Sequence, residues 1–89
     1  VAQHKSAEKR ARQAERRRMR NRAITSALRT RVKGVRDAIA SGDKTAAAAR
    51  LREAEKALRQ AASKGVLKKE TASRQVSRLA KAVHKAASA

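Results

Sequence analysis

The chain has no cysteine, no proline and no phenylalanine, tyrosine or tryptophan among its 89 residues, and only three glycines. Without cysteine there is neither a disulfide to staple a small fold nor a thiolate ligand for a metal. Without aromatic rings the stacking platforms used by many readers of single-stranded or base-specific nucleic acid are missing. Apolar runs are short as well. The longest, Ala46 to Ala49, falls far below a membrane span, and the N-terminal stretch has no apolar middle region of the secretory-signal kind. A soluble cytoplasmic protein with no membrane partner is expected, and the start at Val1 suggests a processed or trimmed initiator residue. Catalysis has no footing either. His4 and His84 lie at opposite ends of the sequence, with no phosphate-cradling glycine-rich loop and no metal-ligand spacing between them. The chain is therefore read as a non-enzyme without cofactor, metal or small-molecule substrate.

Positive charge is what the chain has in excess. Lysine and arginine number 25 against 7 acidic residues, a net charge of +18, and the sequence pI is near 12.0. Self-repulsion on this scale weakens a compact monomer, whereas a polyanion relieves it and gives up its own condensed counterions on binding. Binding should thus also stabilise the fold. The large apolar side chains are few, and apart from Val1 and Met19 they lie from Ile24 onward, so marginal stability is expected for the isolated chain.

Glycine marks where helices stop. Ser41-Gly42-Asp43 combines a terminating glycine with an aspartate suited to cap the next helix, and Lys64-Gly65 ends a second periodic segment. Three helices are predicted, at residues 6–40, 44–63 and 69–87. Ile24, Leu28, Val32, Val35 and Ile39 form a stripe on the first. Ala47, Leu51, Ala54, Leu58 and Ala61 do so on the second, and Ala72, Val76, Leu79, Val83 and Ala86 on the third. Short connections make successive helices antiparallel, giving an all-α, up-down-up three-helix bundle. Alanine-rich seams imply close approach of the axes.

Extending the first stripe backward from Ile24 meets Asn21, Arg17 and Arg10 where a core would need apolar groups. A first helix of the predicted length is about 52 Å long, against roughly 30 Å for a globule of this size. Its N-terminal half must project. The expected division is a basic arm at 1–22 and a bundle at 23–89.

On the arm, Lys5, Lys9, Arg12, Arg16 and Arg20 make one row, Arg18 and Arg22 lie roughly opposite, and Arg29, Lys33 and Arg36 extend the second row along the bundle. Charge around the circumference suits a crevice between RNA helices, with phosphate and ribose contacts reading shape more than sequence. A second candidate site is the turn Lys64-Gly65-Val66-Leu67-Lys68-Lys69, followed by Arg74, Ser77 and Arg78. There Val66 and Leu67 would close the apolar end of the bundle and leave the lysines outside. Gly34, inside a helix, costs about 1 kcal/mol relative to alanine, and either a close contact or simple tolerance would account for it. The carboxylates have structural uses: Glu8 with Arg12 and Glu55 with Arg59 are favourable i,i+4 pairs, and Asp43 is a cap.

A histone-like protein that coats DNA without sequence preference is the alternative binding class, although capping signals and three apolar stripes speak against a disordered tail. A membrane-adsorbed helix would need bulky anchors opposite its charge, and the arm offers only Met19.

Several segments resemble one family. His4-Lys5-Ser6-Ala7-Glu8-Lys9-Arg10, Arg20-Asn21-Arg22, Ala40-Ser41-Gly42-Asp43-Lys44, Ala61-Ala62-Ser63-Lys64-Gly65-Val66-Leu67 and Ser77-Arg78-Leu79-Ala80 together resemble, in order over nearly the whole chain, the bacterial small-subunit ribosomal protein twenty family. The resemblance implies a primary binder of small-subunit ribosomal RNA, a partner of other ribosomal components, whose long first helix reaches into RNA near the bottom of the subunit body. It also implies contacts to the five-prime domain and to the long penultimate helix of the three-prime minor domain. By position it assigns RNA contact to Lys5, Ser6, Lys9, Arg10, Arg17, Asn21, Arg22, Lys64, Lys68, Lys69, Arg74, Ser77 and Arg78. Departures fall at Glu70, an anion where the family usually has a neutral donor, at Gln75 and Val76, which reduce the basic surface of the third helix, and at Gln3, where Asn is common.

Overall fold

A computed structural model describes residues 2–88, and within them the chain forms three helices: α1 (Ala2–Ala40), α2 (Lys44–Ser63) and α3 (Lys69–Ser88). Val1, the first residue of the expected arm, lies outside the described residues. The helix α1 begins at Ala2, before the expected start at Ser6. No proline or glycine interrupts its first turns, and Ala, Gln, Lys and Glu favour helix.

Both glycine stops are built the same way. Gly42 and Gly65 have φ of 77° and 78°. After α1, Gly42 N–H donates to Ile39 O at 3.1 Å and Asp43 N–H to Ala38 O at 3.1 Å. After α2, Gly65 N–H donates to Ala62 O at 3.1 Å and Val66 N–H to Ala61 O at 3.0 Å. Each is a Schellman closure that satisfies the last carbonyls with one left-handed residue. Asp43 then opens α2 as expected, its Oδ1 accepting the Ala46 N–H at 3.0 Å. At the same end of the bundle Lys44 Nζ donates to Ala87 O at 3.1 Å, tying the start of α2 to the end of α3.

The three stripes meet in one core. Leu28, Val35 and Ala38 of α1, Ala47, Ala54, Leu58 and Ala61 of α2, and Ala72, Leu79 and Val83 of α3 are buried, with Ile24, Val32, Ile39, Leu51 and Val76 half-buried around them. Val66 and Leu67 pack half-buried against this cluster, as expected for residues closing the bundle. Topology follows from the cross-links: Arg31 faces Glu53 and Gly34 faces Arg50, so α1 and α2 run antiparallel, and α3 returns alongside α1. Helix α2 packs extensively on both neighbours, whereas α1 and α3 meet less closely.

Every residue from Gln3 to Arg20 is exposed, and burial on α1 begins at Asn21 and Ile24. The protein is correspondingly a rod, 67 × 22 × 13 Å, because a straight helix of α1's length is about 58 Å and only its C-terminal half has neighbours to pack on.

Candidate nucleic-acid interface

The projecting half of α1 presents cations in nearly every direction because one residue turns the helix by about 100°. Lys5, Lys9, Arg12, Arg16 and Arg20 share one side, Arg18 and Arg22 the other, and Ser6, Arg10 and Arg17 continue the line that becomes the apolar stripe below Ile24. All of these are exposed. Of the two acidic residues on this stretch, Glu15 pairs with Arg18 at 3.3 Å, one turn apart. The expected pairs Glu8 with Arg12 and Glu55 with Arg59 do not close to ion-pair distance; among the described residues the second bridge is Arg31 to Glu53 at 3.6 Å, between helices. Helical spacing permits an i,i+4 pair without compelling it, since exposed pairs gain at most about 1 kcal/mol.

Asn21 sits where arm becomes bundle. It is half-buried, and its Oδ1 is enclosed without a hydrogen-bond partner. Around it Arg17, Arg18, Arg22, Thr25, Ser26 and Arg29 line one concave stretch of about 740 Å³. Four arginines thus line a strip that also offers an amide and two hydroxyls.

Further along, Arg29 and Lys33 do not simply prolong the arm's row. They form one rim of a groove of about 750 Å³ between α1 and α3, with Arg36 beside them and Arg78 on the facing rim. A second concavity, about 590 Å³, lies where α2 ends and α3 begins; it unites the expected Lys69 and Ser77 with Arg59, Ser63 and Ser73. Those last three are additions to the expected set. Arg59 was accounted for by a pair with Glu55, and only the crossing of two helices reveals that it turns toward α3. Lys64 and Lys68 flank the turn, both exposed. The first closes α2 as its C-cap, and the second lends its carbonyl to the Ala72 N–H at 3.0 Å, starting α3. Arg74, Ser77 and Arg78 are exposed along α3. The expected residues therefore fall into an arm, an inter-helix groove and a turn, and not into one face.

Long cationic stems on exposed helix, with few carboxylates to neutralise them, suit charge-assisted hydrogen bonds to phosphate oxygens. Among the described residues there is no cluster of His, Asp or Glu fit to hold a metal, and no helix is long and apolar enough to cross a membrane.

The sequence matches the family model for ribosomal protein S20 over residues 2–84. The chain belongs to the ribosomal protein S20 family. That match spans α1, α2, both turns and most of α3. The chain is 58% identical to the small ribosomal subunit protein bS20 of Campylobacter fetus subsp. fetus (strain 82-40), covering 93% of this chain and 94% of that one. It is 52% identical to the bS20 of Anaeromyxobacter sp. (strain K), over 100% and 98%, and 53% identical to that of Campylobacter lari (strain RM2100), over 98% and 100%.

Proposed function

We propose that the protein is a structural component of the small ribosomal subunit that binds the subunit's RNA, residues 1–22 acting as an anchoring arm and 23–89 as the bundle that positions it. The observation that carries this reading is the run of exposed helix from Gln3 to Arg20, basic on both sides and unpacked by the rest of the chain. A helix with no apolar seam gains little by projecting into water, whereas phosphates on several sides would hold each of its rows. Arm contact is proposed for Lys5, Ser6, Lys9, Arg10, Arg12, Arg16, Arg17, Arg18, Arg20, Asn21 and Arg22. Bundle contact is proposed for Arg29, Lys33, Lys64, Lys68, Lys69, Arg74, Ser77 and Arg78. Separate groups of cations at the arm, the groove and the turn fit a protein that touches more than one RNA segment and holds them together during and after assembly. The five-prime domain and the long penultimate helix are the proposed segments.

Footprinting on full-length small-subunit ribosomal RNA tests this. Protection should be confined to a few helices, and in those two regions. Uniform weak protection, matched by equal affinity for duplex DNA, would favour generic nucleic-acid coating and defeat the proposal.

A further inference from the structure

The groove between α1 and α3 differs from the basic arm. Its floor is apolar: Leu28 and Leu79 are buried and Val32 and Leu67 half-buried. Its rim is cationic from both sides, with Arg29, Lys33 and Arg36 at i, i+4 and i+7 of α1 and Arg78 on α3. No carboxylate lines it. The neighbouring concavity between α1 and α2 contains Asp37 and Glu53 besides its cations. Near the rim stands Gln75, one turn before Arg78, half-buried and with no hydrogen bond from its amide to another described residue. A free carboxamide has a donor and an acceptor side by side, the pattern that matches a base edge.

We propose that this groove receives one unpaired nucleotide of RNA, its base laid on Leu67 and Val32 and read by Gln75, its phosphates held by Arg29, Lys33, Arg36 and Arg78. The assignment rests on the RNA-binding reading above and adds a base-reading point to a protein that otherwise grips phosphates. Charge complementarity selects the occupant: four cations without an opposing carboxylate suit a polyanion. The volume lies within the roughly 300–1,000 Å³ of small-ligand sites. Base planes stack on guanidinium groups as they do on aromatic rings, so Arg29 or Arg78 can supply what the missing aromatics do not.

The test uses the full chain and labelled RNA hairpins: one fully paired, and four that are identical except for a single unpaired A, C, G or U in the stem. Anisotropy titrations at fixed salt should show at least one bulged hairpin bound about tenfold tighter than the paired one. In Gln75→Ala that preference should fall to within about twofold while affinity for the paired hairpin and the helical circular dichroism stay unchanged. Gln75→Glu should lose it too, having exchanged the donor for a charge. Equal binding of all five hairpins, or a preference that survives both substitutions, overturns the proposal while leaving phosphate-dominated RNA binding intact. Failure to bind any hairpin overturns both. A Glu-rich amphipathic peptide that binds the chain, loses affinity in Gln75→Ala and leaves bulged and paired RNA undistinguished would assign the groove to a protein helix instead.

Discussion

Two glycines with opposite roles show how single residues shape the fold. Gly34 lies within α1 under the side chain of Arg50, whose Nη1 donates to the Gly34 carbonyl at 3.1 Å. A Cβ there would meet that Nη1 at 3.5 Å and Cδ at 3.6 Å, ordinary contact distances. The glycine is thus a cost without a steric necessity. Gly34→Ala should stabilise the protein by about 0.5–1 kcal/mol, seen as a thermal midpoint higher by a few degrees; a lower midpoint would mean that Arg50 needs the bare backbone. At Gly42 the space is open, with nothing within 4 Å of a Cβ, but φ is +77°. Gly42→Ala should therefore cost about 1–2 kcal/mol in backbone strain alone, and an unchanged melt would count against the Schellman closure. The sequence showed the second case and not the first. Ser41-Gly42-Asp43 is a local signal, whereas the neighbour of Gly34 is a side chain 16 positions away that only the packing of α2 brings to it.

At the scale of elements, the stripes on α1, α2 and α3 were legible because each repeats with the helical period. The apolar stripe's end is visible in the sequence as the change from Ile24 to Asn21 and Arg17, and α1 is exposed from Gln3 to Arg20. Ala38 was not, since a small residue outside the main stripe is buried only because α1 and α2 approach closely beside the Asp43 turn. Grooves were hidden for a related reason: the pairing of Arg29 and Lys33 with Arg78 depends on how α1 and α3 are rotated about their axes, which no single helix period specifies. Deleting residues 1–22 removes no member of the buried core, which begins at Leu28, so the remaining bundle should keep its helical content and unfold cooperatively. RNA affinity should meanwhile drop by well over threefold; a smaller loss, under about 1 kcal/mol, would show that the arm is not the principal anchor. The arm's helix has no tertiary support, and Arg16, Arg17, Arg18, Arg20 and Arg22 repel one another. Hydrogen exchange in the free protein should accordingly be fast from Lys5 to Arg22 and slow sharply on adding RNA at equal salt. Strong protection without RNA would mark a preformed rod and remove any coupling of ordering to binding.

For the whole molecule, a net charge of +18 spread over a rod 67 Å long makes the partner's phosphates part of what stabilises the folded state. Ligand binding shifts unfolding by mass action, and here it also cancels self-repulsion along α1. Without aromatic residues the affinity must come mainly from ion contacts, and on the proposed contacts shape is read through the separation of arm, groove and turn. The most direct test is the salt dependence of binding between the full chain and full-length small-subunit ribosomal RNA, with magnesium held constant so that the RNA fold does not change. If six or more phosphates are neutralised, log affinity should fall linearly with log salt at a slope of about −4 or steeper. A slope near zero between low and moderate salt would contradict phosphate contact as the basis of binding.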